Sequence, residues 1–249
     1  MASKSTALID GDIYAYRYAF KNTQTFDWGD TQSELADLDQ AKADIDKSFE
    51  QLSRELNTVN LIVCLSSMTN FRKQINPNYK ANRKSVPKPT LLTDIRKFFI
   101  MEYPVKLWDG LEADDVMGIL ATDKKSSSGK RIIVSTDKDM LTIPGRVYNP
   151  RTKKLRRITK DEADYNFYRQ VLMGDPVDNY SGVPRVGPVR ADKILQEVAL
   201  EEYWEACLSA FLGVGLTEED ALLNARMARI LRVEDFNFET RRPILWTPT

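Results

Sequence analysis

Four short apolar runs, at residues 7–9, 59–65, 105–108 and 131–134, are separated by stretches whose apolar residues return at three and four positions. Strands covered on both faces read as unbroken apolar runs, whereas an amphipathic helix repeats every 3.6 residues. The alternation predicts an α/β domain: a mostly parallel central sheet flanked by helices at about residues 37–56, 90–103 and 112–122. Residues 124–130, with Ser-Ser-Ser-Gly, predict a surface loop. Asn149-Pro150-Arg151-Thr152-Lys153 predicts a turn between two short strands, and Thr159 with Glu162 has capping-box spacing that opens a predominantly helical half. A boundary near residue 158 follows, with an α/β core over 1–158 and a helical subdomain over 159–249. With no internal repeat and no long linker, the halves should pack together.

The 249 residues, 42% hydrophobic and 29% charged, suffice for a sizeable core. No apolar run approaches the roughly 20 residues that cross a bilayer, and the N-terminus lacks the apolar stretch of a secretory signal. A cytoplasmic protein without membrane contact is expected. Cys64 sits in an apolar run and Cys207 in a helical pattern, the setting of buried small hydrophobes rather than of a disulfide or zinc site. The chain contains no histidine, which removes imidazole acid–base catalysis, Ser-His-Asp triads and imidazole metal sites together. Chemistry is left to carboxylates, lysines and arginines.

Acids recur where the predicted strands end: Asp10 after the first, Glu112, Asp114 and Asp115 after the third, Asp137 and Asp139 after the fourth. In a parallel sheet those ends share one edge, where α/β proteins place their ligands. A helix start at Glu112 puts residues 112 and 115 on one face and turns Asp114 toward the sheet edge, while an extended strand end points Asp137 and Asp139 the same way. Asp175 and Asp178 stand one turn apart where the helical half begins. Each segment alone reads equally as helix caps and turn residues. Gathered together, so many like charges are destabilising unless cations neutralise them, and oxygen-only ligation favours Mg²⁺ or Mn²⁺. Two such ions can stabilise both oxygens of an in-line phosphodiester displacement and generate hydroxide without a histidine.

The formal charge is zero, from 36 basic and 36 acidic residues. If eight acids serve metal ions, the remainder is basic enough for a phosphate-binding surface. Arg72 and Lys73 beside Phe71, and Lys80, Arg83 and Lys84 beside Tyr79, read either as a phosphate grip with Tyr79 stacking on a base or as a solvated charged face. The run from Gly182 through Arg185 to Gly187 precedes a helical stretch bearing Arg190 and Lys193. It reads as a helix-hairpin-helix that holds phosphates on backbone N–H groups, or as a tight interhelical turn.

In chain order, Ile9-Asp10-Gly11-Asp12, Asn70-Phe71-Arg72-Lys73, Pro77-Asn78-Tyr79-Lys80-Ala81-Asn82-Arg83-Lys84, Glu112-Ala113-Asp114-Asp115, Ser135-Thr136-Asp137-Lys138-Asp139 and the segment from Gly174-Asp175 to Gly187 resemble the 5′-nuclease superfamily. That superfamily includes flap endonucleases and the 5′-nuclease domain of bacterial DNA polymerase I, and the chain is most similar in pattern to the 5′→3′ exonucleases of short-tailed phages. The resemblance implies a PIN-like nuclease core, an arch or phosphate-gripping region over 67–103 and a helix-hairpin-helix at 174–197. It also implies a first metal site at Asp10, Glu112 and Asp114, a second at Asp137, Asp139, Asp175 and Asp178, and Asp115 between them. Lys80 and Arg83 would contact the scissile phosphate, and the hairpin would hold K⁺.

Three departures stand out. Ser67 occupies a position where relatives usually carry a further metal-site aspartate; Arg185 stands where they commonly have glycine, and Val189 where they often have lysine. The segment between Arg83 and Pro104 is short for a threading arch. The reading is a monomeric 5′→3′ exodeoxyribonuclease, in the host cytoplasm if phage-encoded, acting on duplex DNA with 5′ ends or flaps and on RNA in RNA–DNA hybrids. The alternatives are a structure-specific 5′ flap endonuclease, distinguished by releasing oligonucleotides rather than mononucleotides, and a DNA-end-binding protein weakened in catalysis by Ser67.

Overall fold

The computed structural model describes residues 5–83, 86–125 and 130–248. The chain opens with β1 (Thr6–Asp10) and α1 (Gly11–Lys21), whose cap is Asp10, then a hairpin of β2 (Thr23–Asp27) and β3 (Gln32–Ala36). Next come α2 (Leu38–Leu56), β4 (Asn60–Cys64), α3 (Phe71–Ile75), α4 (Leu92–Glu102) and β5 (Val105–Lys106). They are followed by α5 (Ala113–Thr122), β6 (Arg131–Val134), β7 (Gly145–Asn149) and β8 (Lys154–Ile158). The four strands expected from apolar runs and the three expected helices are present within a few residues. The hairpin turn at 149–153 and the Thr159–Glu162 capping box are present as well. The expected loop at 124–130 falls partly outside the described residues.

The sheet order is β5-β4-β1-β6-β7-β8, parallel except for the β7–β8 pair. Because side chains alternate along a strand, Ala7 and Ile9 enter one core and Leu8 the other. The first core packs Tyr14, Ile45, Phe49, Ile95 and Phe99 from α1, α2 and α4; the second packs Val116, Met117 and Leu120 from α5 against Leu8, Cys64 and Ile133. After β5 the chain crosses β1 to continue at β6, so the order reverses around β1, and a crevice opens at the carboxyl ends of the strands at such a switch point.

The helical half comprises α6 (Lys160–Met173), the two-residue pair β9 (Gly174–Asp175) and β10 (Tyr180–Ser181), α7 (Pro188–Gln196), α8 (Tyr203–Leu212) and α9 (Glu218–Ala228). A third core of Phe167, Val171, Leu195, Trp204, Phe211 and Ala225 joins them. A final pair, β11 (Phe236–Asn237) and β12 (Arg242–Pro243), follows a segment whose Ile230 and Leu231 belong to the second core. Cys64 and Cys207 are both buried and free, as the sequence predicts. No helix among the described residues is long and apolar enough to cross a membrane.

Candidate active site

A cleft of about 940 Å³ opens at the carboxyl ends of β1 and β6, and Asp10, Glu112, Asp114, Asp137, Asp139, Asp175 and Asp178 all line it. Asp10 ends β1 and caps α1: its Oδ1 accepts from the Ile13 N–H at 3.1 Å and its Oδ2 from the Ser135 hydroxyl at 2.8 Å. Glu112 caps α5 and places Asp114 in the helix's first turn. Asp137 and Asp139 do not lie on the extended strand end that the sequence predicts. A short 3₁₀ turn, Lys138–Thr142, begins there, and the Asp137 carboxylate accepts from the Asp139 N–H at 2.8 Å. The tighter turn still delivers both acids to the cleft. From the helical half, the Asp175 carboxylate accepts from the Val177 N–H at 2.7 Å, which fixes the turn carrying Asp178.

Asp12, which sequence reasoning left out of the site, also lines the cleft. Its carboxylate accepts from the Ser66 N–H at 2.9 Å and pairs with Arg96 of α4, whose Nη2 donates to the Ser66 carbonyl at 2.6 Å. The repeat of Asp10 at i and Asp12 at i+2 is visible in the sequence. What hid Asp12 was the missing helix prediction for α1, which turns it toward α4.

Three expectations are corrected. Asp115 is fully buried rather than poised between metal sites: both its oxygens are taken by Arg72 at 2.7 Å, and Oδ1 also accepts from the Leu231 N–H at 3.1 Å. Arg72 is therefore no phosphate grip. It is 2% exposed and donates further to the carbonyls of Met227 and Arg229. Tyr79 is 3% exposed, its hydroxyl shared by Glu112 at 2.9 Å and Asp178 at 3.0 Å, so it cannot stack on a base in this arrangement. A sequence shows an aromatic among cations; burial decides what the cations serve.

Lys80 and Arg83 reach the cleft as expected. The Lys80 ammonium lies 2.5 Å from Glu112 and 3.4 Å from Asp178, and Arg83 lies 2.5 Å from the other Asp178 oxygen. Lys80 has φ of 54°, in the left-handed region that a non-glycine residue enters at a cost, and its N–H donates to the Asp178 carbonyl at 2.8 Å. Local strain thus fixes a cation between two acids. Burial raises the Glu112 carboxyl, but Lys80 and Arg72 outweigh it and pull it down to about 2. Burial works against the Lys80 charge, yet Glu112 and Asp178 hold its ammonium above the ordinary range.

The remaining acids feel each other instead. Burial pushes Asp10 up to about 7, with Asp12 and Asp137 adding to it, while burial followed by Asp10, Asp137 and Glu112 holds Asp114 well above the carboxylate range. Burial and then Asp137 bring Asp139 to about 6. Among the described residues no three acids converge into a ready-made metal-ligand group. The donors nonetheless suit a hard divalent cation in kind, being carboxylate oxygens with no thiolate or imidazole among them. Asp10, Asp114 and Asp139 hold their protons because burial, and after it the neighbouring carboxylates, disfavour their charged forms.

Ser67 also lines the cleft, its hydroxyl 3.1 Å from both Thr69 and Asp109. In the helical half, Arg185, Gly187, Arg190 and Lys193 are exposed on the turn between β10 and α7 and on the first turns of α7, and Gly182 is half-buried; in the other half Lys73 of α3 is exposed. Lys84 lies outside the described residues. Arg185 has φ of 65°, which explains in physical terms why glycine suits this position.

Carboxylates on a sheet edge, facing fixed cations and with no imidazole to call on, define a nuclease of the α/β class. A model of the 5′-3′ exonuclease N-terminal resolvase-like domain matches residues 5–167. An exodeoxyribonuclease of Enterobacteria phage T3 and an exonuclease of Escherichia phage T7 are each 30% identical over 240 residues, across 81% of this chain and 78% of theirs. The structure of the bacteriophage T5 5′-exonuclease with zinc ions bound superposes with a TM-score of 0.65 at 17% identity, covering 90% of this chain and 89% of that one. The chain belongs to the 5′-3′ exonuclease family and is a 5′→3′ exonuclease.

Proposed function

We propose that this enzyme removes nucleotides from the 5′ ends of duplex DNA, a reading supported by its T3 relative being named an exodeoxyribonuclease, and accepts RNA in RNA–DNA hybrids as a second substrate. It is proposed to act as a cytoplasmic monomer. The observation that carries the reading is one cleft lined by acids from the ends of β1 and β6, the start of α5 and the β9–β10 turn, with Lys80 and Arg83 at its side. Asp10, Glu112 and Asp114 would hold one divalent ion, and Asp137, Asp139, Asp175 and Asp178 a second, Mg²⁺ or Mn²⁺; the T5 exonuclease binds divalent zinc ions. Such ions would supply Lewis acidity and an activated water at neutral pH.

The chain's own groups do the rest. Lys80, fixed by its backbone, offers an ammonium to the charge that develops on the phosphate, and Arg83 offers a planar fork beside it. Tyr79 orients Glu112 and Asp178 from beneath. Lys73, Arg185, Arg190, Lys193 and the backbone of Gly182 and Gly187 would grip phosphates away from the cleft, Lys84 with them, and K⁺ would sit at the hairpin. The division into a 1–158 core and a 159–249 DNA-binding subdomain is part of the same proposal.

Digestion of a 5′-labelled duplex and a flap substrate, with and without Mg²⁺, tests it. Mononucleotides released only with Mg²⁺ are expected, and a single released oligonucleotide would make the enzyme a flap endonuclease instead. Lys80→Ala should lower turnover by at least 100-fold, about what a lost charge-stabilising donor costs, with a smaller loss of duplex affinity. Equal losses would reduce Lys80 to a grip.

A further inference from the structure

At the opposite edge of the sheet, by the start of β7 and the end of β8, a second cavity of about 1170 Å³ shares no lining residue with the cleft. Lys124, Lys125, Arg157 and Lys160 stand in its walls, with Ile158, Val233 and Phe238 as apolar lining. Two acids, Asp123 and Glu234, also line it, and Glu234 is held by Arg229 at 3.3 Å. Lys125 and Arg157 are exposed and form no ion pair among the described residues. The walls are therefore cationic.

Arg232, also in the lining, adds a buried cation to these walls. It is 2% exposed, its Nη1 2.7 Å from Asp164 and its Nη2 2.8 Å from the Thr142 carbonyl, while its buried Nε has no acceptor. Asp164 must serve Lys160 as well, at 2.6 Å, so one carboxylate balances two cations.

We propose that this cavity docks an acidic peptide segment of a partner protein, its carboxylates against Lys125, Arg157 and the Arg232 side and an apolar side chain against Ile158, Val233 and Phe238. Charge complementarity selects an anion, and the apolar lining selects a peptide over a nucleic acid. A phosphate backbone has no use for Ile158 and Val233, and the Phe238 ring is packed at 87° against Phe236, 5.1 Å between centroids, within an aromatic cluster. Because the catalytic acids lie at the other ends of the strands, a partner seated here leaves the cleft open. The site does not depend on which 5′ end the cleft accepts.

Fluorescence anisotropy with the full chain and a labelled Asp-Glu-Asp-Asp-Ile-Phe peptide tests the proposal. The peptide should bind, and Lys125→Glu with Arg157→Glu should weaken it at least tenfold on the order of two lost desolvated charge pairs. Phe238→Ser should weaken it severalfold, and all variants, altered only at exposed side chains, should digest duplex DNA at the parental rate. Equal affinity for a peptide ending Ser-Ser would show charge attraction alone and overturn the proposal. So would absence of peptide binding, and so would loss of DNA affinity in the charge-reversed variant, which would make the surface a nucleic-acid contact.

Discussion

Asp139 and Glu112 line one cleft yet hold protons in opposite ways, and the difference is measurable. Glu112 has Lys80 and Arg72 against it and is pulled down to about 2; Asp139 has burial and Asp137 against it and rises to about 6. A carboxyl raised above its unfolded value of about 3.9 contributes stability that is complete below that pH and lost as pH rises through its folded value. In EDTA, Asp139→Asn should therefore exceed the parent in stability above pH 7, by about 3 kcal/mol at most for a shift of about two pH units, and match it below pH 4. Urea melts across that range measure it; parallel curves would show that Asp139 carries no such burden. Mg²⁺ should stabilise the parent more than the variant. The positions of these acids were legible in the sequence because strand ends and helix starts fix them. Their charge states were not, since these depend on neighbours from four parts of the chain. The same gap explains Arg72 and Tyr79, whose sequence surroundings are indistinguishable from those of exposed Lys73.

At the scale of elements, the pair β9–β10 shows how little space separates recognition from collapse. A Cβ on Gly182 would lie 2.2 Å from the Leu172 carbonyl and 2.4 Å from the Gly174 nitrogen, and Gly174 itself has φ of 66°. Backbone meets backbone here, so no side chain can yield. Gly182→Ala should distort the turn that leads into α7 and carries Arg185, lowering duplex affinity by about tenfold or more while the protein still hydrolyses at saturating substrate. Titration of duplex against the variant checks this, and unchanged affinity would detach the turn from DNA binding. The glycines announced a tight turn in the sequence, but the two-residue pairing did not show. The β2–β3 hairpin and α1 were missed for a related reason. The hairpin is largely exposed, and in α1 apolar and aromatic residues run almost all round, from Ile13 to Phe20, so neither period of two nor period of 3.6 stands out in the apolar pattern.

For the whole molecule, the question is whether a boundary near residue 158 separates two folding units. The contacts argue for one. Arg72 of α3 binds Asp115 of α5 and the carbonyls of Met227 and Arg229, Leu231 donates to Asp115, and Gly118 of α5 leaves only 2.3 Å between a notional Cβ and the Leu231 carbonyl. The chain's last segment is thus wired into the wall behind the acids, and Arg232 continues the connection to Asp164 and Thr142. Removing one partner of a buried pair leaves the other charged and unpaired, at a cost of about 3–5 kcal/mol, whereas replacing both by apolar groups is often neutral. Arg72→Met should lower stability by about that amount, and Asp115→Leu added to it should restore much of the loss. Urea unfolding followed by tryptophan fluorescence, with Trp108 in the core and Trp204 and Trp246 in the helical half, should coincide with far-UV circular dichroism in every variant. Separate transitions would mean that the halves fold alone. A variant that kept its stability but lost duplex affinity would return Arg72 to the role of a grip, against its burial and against the four groups it now holds.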